Sequence, residues 1–141
     1  MVPVPGASVR NNTILRPRRW IARILQENTR PHLASCRDGH FERNFVAFRS
    51  DELHTAVKIG AGTQKDTFRF VENEWVCLDG SSARRKLLPF PIPGSGSIFR
   101  ENEKPVQLNA ETIKDFAGTN IGVRWWTLPK KAKTKPPGRK R

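Results

Sequence analysis

The chain carries only two cysteines, Cys36 and Cys77, in 141 residues. Two thiols make a poor disulfide framework and nothing else in the sequence suggests secretion, so both are expected to be reduced. No stretch approaches the roughly 20 consecutive apolar residues that a membrane-spanning helix needs. Composition also excludes collagen and coiled coil. Hydrophobic residues make up 36% of the chain, lean but sufficient for one small core, which argues against a wholly disordered polypeptide. The length suits one compact domain rather than two with separate cores.

Carboxylates are missing from both ends. Residues 1–26 hold Arg10, Arg16, Arg18, Arg19 and Arg23 and no acid. Residues 124–141 hold Arg124, Lys130, Lys131, Lys133, Lys135, Arg139, Lys140 and Arg141, again with no acid. Of the 26 Lys and Arg, the remaining 13 share the middle of the chain with all 13 Asp and Glu, so the net charge of +13 belongs to the ends. A neutral body with cationic extensions calls for a polyanion, because basic blocks repel themselves and order on phosphate. The last residues, rich in proline and nearly free of apolar side chains, cannot form the amphipathic helix that lies on a membrane. They suit a phosphate-lined crevice, with salt-dependent binding through counterion release.

This divides the chain into a basic N-terminal arm over residues 1–28, a body over 29–128 and a basic tail over 129–141. In the arm, Pro17 starts a pattern in which Trp20, Ile21, Ile24 and Leu25 recur at spacings of three and four, predicting a short basic amphipathic helix over residues 17–28. An arginine-rich, acid-free start of this kind has the features of a mitochondrial targeting segment. The body reads as β-rich. Strands are expected over residues 44–49, along the alternation of Leu53, Thr55, Val57 and Ile59, around Phe68 and Phe70, and over 74–78. Gly60 to Gly62 and Glu72-Asn73 are read as the turns between them. The expected fold is α+β: a small antiparallel β-meander with one or two short helices and extended basic termini. Residues 81–105 read as loop, and Asn109 is expected to cap a helix running to Ala117.

Candidate chemistry is sparse. His32, Cys36, His40 and Cys77 offer two nitrogens and two sulfurs, but no compact zinc pairing is complete. Cys77, inside an expected strand, reads as a small hydrophobe rather than a nucleophile. The run from Gly60 to Lys65 lacks the glycine immediately before lysine that a phosphate loop needs. No catalytic residue, metal or cofactor is therefore expected. The residues expected to meet RNA are Arg16, Arg18, Arg19, the triplet Arg84, Arg85 and Lys86, Arg124, and the tail cations Lys130, Lys131, Lys133, Lys135, Arg139, Lys140 and Arg141. One of Trp125 and Trp126, taken here as Trp125, is expected to offer a stacking face.

The segment 70–129 resembles a mitochondrion-specific family of large-ribosomal-subunit proteins, the forty-second in its naming series. The matching features are a strand ending in Val76-Cys77, an extended segment closing on Pro91-Ile92-Pro93, a short helix over residues 113–116, and Arg124-Trp125-Trp126 ahead of a basic tail. The chain departs from the family at Leu78-Asp79-Gly80 and Gly122-Val123. The resemblance implies a non-catalytic matrix protein of the mitochondrial ribosome, in contact with ribosomal RNA and neighbouring ribosomal proteins. A free-standing single-strand nucleic-acid binder, an accessory subunit of a respiratory complex, and an enzyme using Cys36 are the other classes open to a small basic chain.

Overall fold

The computed structural model describes residues 5–25, 35–87, 90–92, 94–109 and 111–112. In chain order its elements are β1 (Ser8–Arg10), β2 (Thr13–Leu15), β3 (Ala22–Ile24), β4 (His40–Glu42), β5 (Phe45–Phe48), β6 (Val57–Ile59), β7 (Arg69–Val71), β8 (Glu74–Cys77), α1 (Ala83–Leu87), β9 (Gly94–Ser95) and β10 (Ile98–Arg100).

Four stretches repeat one local shape. A short strand leads to a residue with positive φ, then to Asn or Ser, then to a second strand. The positive-φ residues are Asn11 (55°), Arg43 (53°), Glu72 (53°) and Gly96 (64°), followed by Asn12, Asn44, Asn73 and Ser97. A left-handed residue there bends the chain sharply without folding it back on itself. Each strand therefore finds its partner one turn of the chain away. Ser8 to Arg10 lie beside His40 to Glu42, which lie beside Arg69 to Val71, with Gly94 and Ser95 next. The second strands stack in the same way: Thr13 on Phe45, Phe45 on Glu74 and Glu74 on Ile98. Every pairing is parallel. The sheets run β1-β4-β7-β9, β2-β5-β8-β10 and β3-β6, and the described residues form a parallel β-solenoid of four rungs.

This overturns the antiparallel meander expected from the sequence. Strands occupy Phe45–Phe48, Arg69–Val71 and Glu74–Cys77, where alternation marks them. The bend at Glu72-Asn73, however, passes the chain from one sheet to another instead of reversing it. The helix expected over residues 17–28 is also corrected: residues 17–21 are not helical, and β3 pairs with β6 with Ile24 opposite Ile59. A short helix is marginal alone, whereas β3 gains a strand partner and buries Ile24. The loop expected over 81–105 contains α1, β9 and β10. Asn109 Oδ1 accepts the Thr112 N–H at 2.8 Å, the capping bond expected of it; the remainder of that helix lies outside the described residues.

The bend carries an asparagine ladder. Asn44 Oδ1 accepts the Asn12 backbone N–H at 2.9 Å and Nδ2 at 3.1 Å. Asn73 Oδ1 accepts the same two donors of Asn44 at 3.0 and 3.1 Å. The amides also close the bends, Asn44 Nδ2 onto the Val9 carbonyl at 3.0 Å and Asn73 Nδ2 onto that of Phe41 at 2.8 Å. Asn44 and Asn73 are fully buried.

Inside the solenoid, like stacks on like. Phe41 lies over Phe70 with ring centroids 4.8 Å apart, the spacing of neighbouring strands. Trp75, Val46, Phe48 and Cys77 complete this core with Leu53, Val57, Leu87 and Ile92. The outer face of the second sheet is covered too: Phe45, Ala47, Val76 and Leu78 pack beneath Val106 and Leu108. That second layer explains why β5 and β8 are buried on both faces. Asn44→Ala removes the centre of the ladder and strands the donors of Asn12 and the carbonyl of Val9. It is expected to lower unfolding free energy by about 2–3 kcal/mol in urea titrations, and Asn12→Ala, at the ladder's end, by clearly less.

Candidate nucleic-acid interface

The cations that the sequence marks do not all sit alike. Arg16 is bonded to Glu52 through both Nε and Nη2, and Arg10 pairs with Glu42 at 3.0 Å. Arg18 and Arg19 are exposed, and among the described residues no carboxylate pairs with either. The Arg19 carbonyl accepts the N–H groups of His54 and Thr55 at 3.2 and 3.1 Å. Ile21 N–H reaches the Ala56 carbonyl at 2.9 Å. These bonds hold residues 19–21 against the start of β6 and fix where Trp20 stands.

Trp20 is flanked by two cations. The Arg23 guanidinium lies 5.1 Å from its ring centroid and the Lys58 ammonium 5.4 Å. Arg23 and Lys58 are direct register partners across β3 and β6, and both are exposed. Two like charges at opposed positions of a strand pair work against pairing. The aromatic face offsets part of that repulsion by cation–π attraction, and a bound anion would remove the rest. Arg19, Trp20, His54, Thr55 and Lys58 line an open cleft of about 500 Å³. His54 and Thr55 also line the neighbouring cleft, which reaches Lys86. Two clefts that share His54 and Thr55 thus connect the Trp20 face with Lys86 of α1.

The triplet expected in a loop lies on α1 instead, with all three side chains exposed. Arg84 stacks 5.2 Å over the Phe99 ring; Arg85 and Lys86 both line a polar hollow with Ser50, Ser81 and Glu101, and Lys86 also lines the cleft beside His54 and Thr55. Arg124, Trp125, Trp126 and the cations of residues 130–141 lie outside the described residues, as does His32. Sequence reasoning missed Trp20, which it placed on the apolar face of a helix, and left Arg23 and Lys58 out of the site. The signal for Lys58 was its place between Val57 and Ile59, the solvent-facing position of a strand.

The remaining cluster is structural. The Cys77 thiol donates to Asp79 Oδ1 at 2.9 Å, and Asp79 Oδ2 accepts the Ser50 hydroxyl and N–H at 2.6 and 2.7 Å. Burial and then the Asp79 bond push the thiol up to about 11. Burial also pulls the Asp79 carboxyl upward, but the bonds from Cys77, Ser50 and the Ser81 backbone outweigh it and hold the group well below the usual carboxylate range. A thiol held neutral is a poor nucleophile; Cys77 is a core residue that also donates a hydrogen bond. His40 Nδ1 meets Glu42 at 2.7 Å on the first sheet. Among the described residues no group of three His, Cys, Asp or Glu is placed to hold a metal, and no helix is long and apolar enough to cross a membrane.

No protein-family model matches the chain, nor does any curated protein or solved structure.

Because folding raises the Cys77 thiol above its ordinary value of 9.0, to about 11, it favours the protonated form. The stability this contributes is complete below the unfolded value and is lost as pH rises through the folded one. Urea midpoints are expected to fall between pH 9 and 11, and Cys77→Ser, which keeps a donor to Asp79 without ionising, to flatten that fall.

Proposed function

We propose that the protein is a non-catalytic RNA-binding component of a ribonucleoprotein. In this reading the solenoid side face around Trp20 grips phosphates and the basic tail adds further neutralisation. The observation that carries it is the cation pair Arg23 and Lys58, held in register with both charges within 5.4 Å of the Trp20 ring centroid and with Arg19 lining the same cleft as Lys58. A fold gains nothing from opposing two like charges, whereas a polyphosphate chain passing over them gains two contacts, and an unpaired base gains a stacking partner. The mitochondrial large ribosomal subunit, in the matrix, is the setting that the sequence resemblance implies. Ribosomal RNA and neighbouring ribosomal proteins would be the partners there.

Lys58→Glu separates binding from folding. Placing an acid opposite Arg23 is expected to raise stability by about 0.2–1 kcal/mol while weakening the protein's affinity for a single-stranded RNA oligonucleotide. The slope of log affinity against log salt should become shallower by about 0.7 for each phosphate that is no longer neutralised. Unchanged RNA affinity in this variant, measured by fluorescence anisotropy, overturns the interface. Removing residues 130–141 is expected to weaken RNA binding further without lowering the melting temperature. The native protein should sediment with a large particle in a sucrose gradient and leave it on ribonuclease treatment.

A further inference from the structure

The large hydrophobic side chains that stay exposed among the described residues are Val9, Leu15, Leu25 and Ile98. Val9 and Leu15 lie on β1 and β2 of the first rung, Leu25 follows β3, and Ile98 is on β10 of the last. All four belong to the first or the last rung: Val9 stands over Phe41 at the open end of the inner stack, while Leu15 and Ile98 continue the outer face of Ala47 and Phe45. Among the described residues the terminal strands β1, β2, β9 and β10 are outermost in their sheets, with backbone groups directed away from the neighbouring rung. In the first rung, Asn12 O accepts from Phe45 N–H and Arg16 N–H reaches Ala47 O. By the alternation of a parallel ladder, Leu15 then points its N–H and carbonyl outward. In the last rung, Ile98 N–H reaches Asn73 O, so Phe99 is the outward residue.

We propose that the protein assembles head to tail, the last rung of one copy receiving the first rung of the next. Over the first two sheets the two ends match as internal rungs do, whereas β3 of the first rung has no strand counterpart in the last among the described residues. Strand direction is the same, and continuing the register sets Ile98 against Thr13, Arg100 against Leu15 and Gly94 against Val9 of the second copy. Val9 would close over the aromatic cavity of about 510 Å³ at that end, lined by Phe70, Trp75, Phe90 and Phe99 among others. The ladder continues as well. Asn44 and Asn73 each use Oδ1 to receive the preceding rung. Asn12 Oδ1 holds the same position at the ladder's end, and the preceding rung would be the neighbour's Ser97. Because the joined surfaces differ, the contact is heterologous and open-ended, and terminal edges of this kind are templates for added strands.

Sedimentation of the full chain in high salt, after ribonuclease treatment, tests this apart from any RNA bridge. The expected result is a weight-average mass that climbs with protein concentration past the dimer without a plateau. Leu15→Pro removes an outward N–H of the first rung together with the exposed Leu15 side chain and should give monomers with a nearly unchanged melting temperature. Phe99→Pro removes the outward N–H of the last rung but also the ring that packs on the core and carries Arg84, so its melting temperature is expected to fall, and Ile98→Lys serves there if that variant does not fold. Mixing the two blocked variants should give a 1:1 dimer and nothing larger. A full chain that stays monomeric at every concentration overturns the proposal, as would happen if residues 113–141 of the same chain covered an end. Dimers formed by either blocked variant alone overturn it too, because they would mean that like ends join.

Discussion

The asparagine ladder is the constraint on which the rest depends. Parallel rungs could in principle slide past one another, and a slip of one residue would send every side chain to the opposite face. The ladder forbids it, since Asn44 Oδ1 must meet both donors of Asn12, and Asn73 Oδ1 both donors of Asn44. Each amide performs two tasks at once, fixing the rung beside it and closing the bend of a neighbouring one. In a buried, low-dielectric corner such bonds strengthen one another, and breaking any of them strands a polar group. With the corners locked, Phe41 falls on Phe70 and Val46 on Trp75 without further instruction.

Locked register makes vertical neighbours of residues that are distant in sequence. Aromatics gain from this and like charges lose. The chain answers by setting opposite charges on adjoining rungs: Arg10 meets Glu42 at 3.0 Å, and Arg100 meets the fully buried Glu74 at 2.5 Å. Arg23 opposite Lys58 runs against that pattern. The same physical rule that makes the other pairs stabilising makes this one costly, and that cost is what supports the anion-binding role proposed for the Trp20 face. A rigid pair of rungs also holds the two cations in position before any ligand arrives, which lowers the ordering entropy lost on binding.

How much of this could be seen in the sequence follows from the range of each interaction. Strands were legible at Phe45–Phe48, Arg69–Val71 and Glu74–Cys77 because alternation and β-branched or aromatic content are local. Their pairing was not. A polar dipeptide such as Glu72-Asn73 looks the same whether the chain reverses or turns a corner, and the partners lie 29 and 32 residues away. The repeat itself is faint. Asn12, Asn44 and Asn73 are followed by Thr, Phe and Glu, and the unequal spacing hides the period. At residues 17–25 the apolar spacing fits a helix as well as a strand, and only the distant β6 decides between them. The charge division was legible, since it is arithmetic. Its geometry was not, because Arg23 and Lys58 come together only through the winding of the chain.

The two kinds of surface are orthogonal. Apolar edges sit at the ends of the solenoid axis, and the cations sit on its side, so joining copies end to end leaves the phosphate face uncovered. Four rungs at about 4.8 Å each advance roughly 19 Å along the axis. In a stack the Arg23–Lys58 pair would therefore recur at that interval on one side, once per copy, because the third sheet contains only β3 and β6. A ligand of many phosphates could then engage several pairs together, each later contact made at the high effective concentration set by the first. A small anion could use only one. Assembly along the axis and binding across it would thus reinforce each other for a polymer, with a coupling that scales with the length of the nucleic acid.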